Sequence, residues 1–133
     1  MSDRELADAF WRRAKTALEV AKQNLALSPA ESASRAYYAA FYAVSALLAL
    51  EGRTFRRHSA LEAAVHRDLV KAGLWPEAMG ECYSDLLRLR NVGDYLVIEP
   101  LSVDDGRDAL ASAAKVLRAV AEMNPEAFGG LDG

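Results

Sequence analysis

From Leu6 to Leu25 apolar residues return at three- and four-residue steps, through Ala9, Phe10, Ala14, Ala17, Leu18 and Ala21. That is the spacing of one buried helix face. Ser2 and Glu5, just ahead of the run, stand at capping-box spacing, so a first helix is predicted from about residue 3 to about 26. Ser28-Pro29-Ala30-Glu31 repeats the punctuation, with a serine cap, proline at the first helical position and glutamate at the third. The second helix differs from the first in having no wholly polar side. From Ser34 through Leu50 apolar and aromatic residues occupy every face, which predicts a helix lying centrally among the others. It stops at Gly52, which can take the left-handed conformation after Glu51.

Arg53-Thr54-Phe55-Arg56-Arg57-His58 then forms a basic connection containing one aromatic. A third helix, from His58 or Ser59, carries Leu61, Ala64, Val65, Leu69 and Val70 and ends at Gly73. Trp75-Pro76-Glu77 opens a fourth, which turns Met79, Tyr83, Leu86, Leu87 and Leu89 inward and meets an end or bend at Gly93. Leu96-Val97-Ile98-Glu99-Pro100 is short, apolar and closed by proline, an extended connector. Ser102 with Asp105 caps a last helix from Val103 to about Met123, striped by Ala109, Leu110, Ala113, Val116, Leu117 and Val120. Asn124-Pro125 ends it, and the Gly129-Gly130 tail is expected to fray. With no strand pattern, internal repeat or low-complexity segment, the prediction is an all-α, antiparallel up-and-down bundle. It has a four-helix core plus an additional helix, in a single domain over residues 1–133.

Composition changes this picture in three places. At 52% apolar and 26% charged the chain can build a core without staples, and five helices of that composition predict an apolar face suited to a twofold homodimer. The lone Cys82 excludes an intramolecular disulfide and reads as a small core or interface residue. With only His58 and His66 beside it no metal-ligand set is present, and no cofactor is expected. A charged amino terminus (Asp3, Arg4, Glu5, Asp8) and the lack of any apolar run of membrane-spanning length point to a cytoplasmic protein with no membrane partner. The net charge of −3 requires that any contact with RNA or DNA come from a local basic patch. Arg53, Arg56 and Arg57 make one.

Walker, dinucleotide-glycine, His-Glu-x-x-His and nucleophile-elbow motifs are all absent. The candidate chemistry lies in two polar clusters on apolar helices. Arg35, Tyr38 and Tyr42, at i, i+3 and i+7, share one edge of the central helix. Arg90, Asn91, Asp94 and Tyr95 close the fourth. The bare residues leave two readings of Arg90 and Asp94 open, an ordinary i, i+4 ion pair or a charged site. Tyr37, Phe41 and Leu48 read as core. Arg12, Arg13 and Lys15 read as a solvated face, and His66 has no assigned role.

Ser34-Arg35-Ala36-Tyr37-Tyr38-Ala39-Ala40-Phe41, the basic turn with His58, and Arg90-Asn91-Val92-Gly93-Asp94-Tyr95 together resemble the HEPN superfamily (higher eukaryotes and prokaryotes nucleotide-binding). The likeness is to small stand-alone prokaryotic members with an Arg-x-x-x-Asp-Tyr motif, and it spans about residues 3 to 123. The resemblance implies a helical bundle, homodimerisation, and pairing with a nucleotidyltransferase-type partner in toxin–antitoxin-like or stress modules. Many members are metal-independent ribonucleases in which arginine stabilises phosphorane charge and a following histidine handles the proton of the attacking 2′-hydroxyl. Here Tyr95 stands in the histidine position, and a phenol ionising near pH ~10 is a poor base at neutrality.

The implied site is a cleft lined by Arg90, Asp94 and Tyr95 with Arg35 and Tyr38, and with Arg56, Arg57 and His58 at its mouth. Three functions fit it: a module subunit binding nucleotide or RNA phosphate, a ribonuclease in which Asp94 or Tyr95 relays protons beside Arg90, and a non-catalytic dimeric interaction subunit.

Overall fold

The fold is a bundle in which one helix touches all the others. The computed structural model describes residues 1–95 and 100–131. Helix α1 spans Asp3–Asn24, α2 Pro29–Ala49, α3 His58–Ala64, α4 Glu77–Tyr95 and α5 Val103–Met123, with no strand among the described residues. Fifteen of the 21 residues of α2 are buried, and it packs against α1, α3, α4 and α5, the central position its apolar circumference predicts. Small residues line its contact with α1: Ala7, Ala14, Ala17 and Ala21 on one helix, Ala36, Ala39, Ala40 and Ala43 on the other, are all buried. Ser32, wholly buried, donates its hydroxyl to the carbonyl of Ala21 (2.7 Å), tying the start of α2 to the end of α1.

The caps fall where the sequence puts them. Glu5 N–H donates to Ser2 Oγ (3.0 Å), Glu31 N–H to Ser28 Oγ (3.2 Å) and Asp105 N–H to Ser102 Oγ (3.1 Å). Each serine satisfies a backbone donor that the first helical turn leaves open. Gly52 has φ +75°, the left-handed conformation its place after α2 requires. Gly93 neither ends nor breaks α4, which continues to Tyr95. A Cβ at Gly93 would lie 3.1 Å from Leu101 and 3.4 Å from Ala30, so the glycine serves close packing. The proposed connector at residues 96–99 lies outside the described residues.

Two elements differ from the expectation. The third helix is not uniform: beyond Ala64 it widens into a π-helical stretch, Val65–Val70, in which Lys71 N–H reaches back five residues to the His66 carbonyl (2.9 Å). The facing residue on α4 is small. Gly80 leaves room for the wide turn, since a Cβ there would meet Val70 Cγ2 at 2.9 Å and the His66 ring at 3.0 Å. Nor does the carboxyl-terminal tail fray through residue 131. Asn124 turns the chain, Phe128 is buried with its ring 5.2 Å from that of Trp11, and Trp11 Nε1–H donates to the Gly129 carbonyl (2.9 Å). Burial of Phe128, with Ala127 and Leu131 packed against the core beside it, docks the tail.

Phe128→Ala should therefore lower the unfolding free energy by about 3 kcal/mol, as expected for emptying a buried aromatic site. Urea unfolding followed by tryptophan fluorescence measures it. A change below about 0.5 kcal/mol would mean that the tail contributes nothing to the folded state.

Candidate functional site

The last turns of α4 bring Arg90 against the aromatic face of α2. The Arg90 side chain is only 15% exposed. Its guanidinium carbon lies 5.9 Å from the centroid of Tyr37, 5.6 Å from that of Tyr38 and 5.8 Å from that of Tyr95. A planar, weakly hydrated cation suits such a setting. Its polar contacts are thin. Nη2 donates to Tyr38 Oη and Nη1 to Asn91 Oδ1, each at 3.3 Å. Nε is 2.9 Å from Asp94 Oδ2, yet its N–H is not aligned for a hydrogen bond, so this pairing is mainly electrostatic. A guanidinium with five donors, two long hydrogen bonds and one misaligned ion pair keeps capacity for an anion.

Tyr38 has a second cation beside it, because Arg35 also lies over its ring, 4.8 Å from the centroid. His58, at the start of α3, enters the same cluster. Its Nδ1 is 2.7 Å from Tyr37 Oη, and its ring lies 4.9, 5.4 and 5.8 Å from those of Phe41, Tyr37 and Tyr38. Burial pushes the Tyr37 phenol up to about 12, so it stays protonated. Burial first, and then the Arg90 charge, lower the pKa of His58 from its ordinary 6.5. The imidazole is thus neutral at pH 7, and among the described residues its Nε2 makes no hydrogen bond.

Of the residues picked from sequence, Arg90, Asp94, Tyr95, Arg35, Tyr38 and His58 converge on this cluster. Arg56 and Arg57 are exposed on the connection before α3, and their side chains make no hydrogen bond or ion pair among the described residues. Arg53 is committed elsewhere. It pairs with Asp68 at 2.6 Å and stacks on Phe55, and hydrogen bonds from Arg67 and Arg53 hold the Asp68 carboxyl well below the usual carboxylate range.

Tyr37 is core, as its helical spacing suggests, but its hydroxyl also anchors His58. That link joins residues 21 apart in sequence and has no local signal. His66, given no role, joins a second polar chain, with Nε2 2.8 Å from Ser84 Oγ and Ser84 donating to Glu62 Oε2 at 2.8 Å. Since the serine proton goes to the carboxylate, His66 must donate and cannot be the serine's base. This chain joins the π-helical stretch to α4 and is no nucleophilic triad. Among the described residues no group of His, Cys, Asp and Glu could hold a metal ion.

The family model for the HEPN domain matches residues 7–123. A UPF0332 protein of Thermotoga maritima is 34% identical over 125 residues, covering 92% of this chain and 95% of that protein. The crystal structure of TT1696 from Thermus thermophilus is similar at a TM-score of 0.72 and 25% identity, over 87% of this chain and 96% of the other.

The position of His58 predicts its titration. A folded pKa below 6.5 means that the unfolded chain binds this proton more readily. The stability His58 contributes is therefore full above about pH 6.5 and is lost as the pH falls from there toward the folded value. In an NMR titration the His58 ring should titrate below 6.5. Arg90→Gln should move it up but leave it below 6.5, because burial, the larger cause, remains. A wild-type value at or above 6.5 would mean that the ring is solvated.

Proposed function

This chain belongs to the HEPN family, and from that membership and the surroundings of Arg90 we propose that it is the HEPN subunit of a toxin–antitoxin-like or stress module. In this reading it acts as a homodimer, binds the phosphate of a nucleotide or RNA, and works with a nucleotidyltransferase-type partner. The observation that carries the reading is Arg90 itself, a guanidinium mostly withdrawn from water, roofed by tyrosine rings and only loosely hydrogen-bonded. A phosphate group, through two of its oxygens, offers it the charged, bidentate partner that Tyr38 and Asn91 do not. Asp94 balances the charge while the site is empty and, at 31% side-chain exposure, is free to turn toward water when an anion arrives. Arg35 adds a second cation across Tyr38, and Arg56 and Arg57 supply a basic approach. The module and the partner rest on family resemblance.

One observation favours the ribonuclease alternative. The histidine absent at position 95 has a counterpart in His58, neutral and sharing the walls of Tyr37 and Tyr38 with Arg90. A neutral imidazole can take the proton of a 2′-hydroxyl as that oxygen attacks the adjacent phosphorus. The 5′-oxygen then leaves with the proton returned by the imidazolium, and Arg90 offsets the charge of the phosphorane. Asp94 and Tyr95 remain the other candidates for relaying protons.

Two measurements separate these readings. In fluorescence anisotropy with a labelled single-stranded RNA, Arg90→Ala should weaken binding by about tenfold or more, the loss of one charged hydrogen-bonding group. Unchanged affinity in a folded Arg90→Ala protein would defeat the phosphate site. If the wild type also cleaves RNA in the presence of a chelator, Arg90→Ala and His58→Gln should each slow cleavage by ~10²-fold. No cleavage by the wild type leaves the binding subunit standing and removes the ribonuclease.

A further inference from the structure

We propose that the furrow between α1 and α2 is a second RNA-contacting surface that carries a single strand away from the Arg90 cluster; this rests on reading that cluster as a phosphate site. The furrow encloses about 680 Å³ and is lined by Arg12, Arg13 and Thr16 of α1, Arg35 and Tyr42 of α2, and a small apolar floor that includes Ala17. Its three arginines make no ion pair among the described residues, in a chain whose net charge is −3. The neighbouring acids do not neutralise them. Asp8, one turn before Arg12, is held by Arg4 at 3.0 Å; Glu19 is held by Lys22 at 3.4 Å; Glu31, one turn before Arg35, forms no ion pair with it.

Aromatic rings position two of the cations instead. Arg13 lies 5.7 Å from the Tyr42 centroid and Arg35 4.8 Å from that of Tyr38, while Phe10 stacks on Tyr42 at 6.3 Å. A guanidinium parked over a ring keeps its in-plane N–H donors directed outward, where a phosphate can take them.

Continuity selects the occupant. Arg35 lines the furrow and stacks on Tyr38, and the same ring is stacked by Arg90 at 5.6 Å and packed by His58. Arg35 thus links the furrow, where Arg12 and Arg13 of α1 stand, through the Tyr38 ring to Arg90 on α4. A mononucleotide needs only one end of this link. Cations interleaved with aromatics along a track spanning three helices match a chain of phosphates, the pattern by which single strands are held without sequence readout.

The test uses the full chain and the double variant Arg12→Gln/Arg13→Gln, in which two exposed residues are replaced by good helix formers so that the fold persists. Two probes are read by anisotropy: the dinucleotide UpU, short enough for the Arg90 cluster alone, and an oligouridylate of roughly 15 nucleotides, near the upper size of single-strand sites. The double variant should weaken oligouridylate binding about tenfold at low salt. It should also flatten the plot of log affinity against log salt by about 1.4, from two lost contacts at about 0.7 each. Its UpU binding should be unchanged, whereas Arg90→Ala weakens both probes.

If the double variant binds oligouridylate with wild-type affinity and slope while Arg90→Ala weakens it, the furrow inference falls and the Arg90 site stands. If Arg90→Ala changes neither probe while the double variant loses the oligonucleotide, the reading of the Arg90 cluster fails, and with it the proposed path from that cluster to the furrow. A wild type that binds neither probe overturns both. Poly-glutamate competing as well as RNA at equal charge would reassign the furrow to an acidic polypeptide and overturn the RNA assignment.

Discussion

The burial of α2 on nearly every side is the constraint on which the rest of the structure depends. A helix with fifteen of 21 residues out of water needs apolar neighbours around its whole circumference, and α1, α3, α4 and α5 provide them. Alanines let α1 lie close, and larger side chains fill the other contacts, among them the wholly buried Tyr83 and Leu86 of α4 and Val116 and Leu117 of α5. The same burial creates the polar problem that defines the candidate site. Tyr37 and Tyr38 sit on this axle, and a phenol taken from water must find a partner or forfeit its hydration. Tyr37 finds His58 and Tyr38 finds Arg90. The cluster is thus where a buried helix has its hydrogen bonds completed by groups arriving from two other elements.

That origin explains why a structural and a functional reading of Arg90 coexist. Its pairing with Asp94 at i, i+4 has the arginine ahead of the acid, the less favourable order along a helix, and the misaligned Nε–H weakens it further. Removing either partner leaves the other short of compensation, which is a cost to stability without being evidence of function. A charge pair built only for stability gains from well-aligned hydrogen bonds, and this one lacks them at Nε. The tyrosine rings add attraction for the cation without using its N–H donors.

The elements most legible in the sequence were those whose cause is local. Serine caps at residues 2, 28 and 102, Pro29 at the first helical turn and Gly52 after α2 each act within a few residues, and each is found in place. The π-helical widening at Val65–Val70 was not legible, because its permissive residue, Gly80, belongs to a different helix. Docking of Phe128 on Trp11 spans more than a hundred positions, and a single aromatic among glycines has no periodicity to announce it. In the candidate site the i, i+4 relation of Arg90 and Asp94 was readable. The approach of His58 to Tyr37 and the withdrawal of Arg53 to Asp68 depend on how α3 leaves the basic connection. Arg12 and Arg13 read as a solvated face because helical periodicity alone cannot reveal that Arg35 and Tyr42 of a second helix stand opposite them.

His58 and Arg90 also constrain one another in a way that bears on anion binding. While the cluster is empty, the Arg90 charge helps to keep the imidazole neutral. A phosphate seated on Arg90 would place negative charge beside the same ring and offset that repulsion, raising the imidazole's affinity for a proton. By linkage the protonated ring must then favour the phosphate by the same factor. Burial opposes this, since it disfavours the charged imidazole whether or not an anion is present, so the outcome turns on how far the bound phosphate compensates for lost hydration. In a base-catalysed cleavage the direction is useful: a ring neutral before the substrate binds can take a proton, and the bound anion stabilises the cation it becomes. In a purely binding subunit the same physics tightens the grip on phosphate as the pH falls. Both follow from placing a partly buried histidine and a loosely hydrogen-bonded arginine against the same two tyrosines of a buried helix.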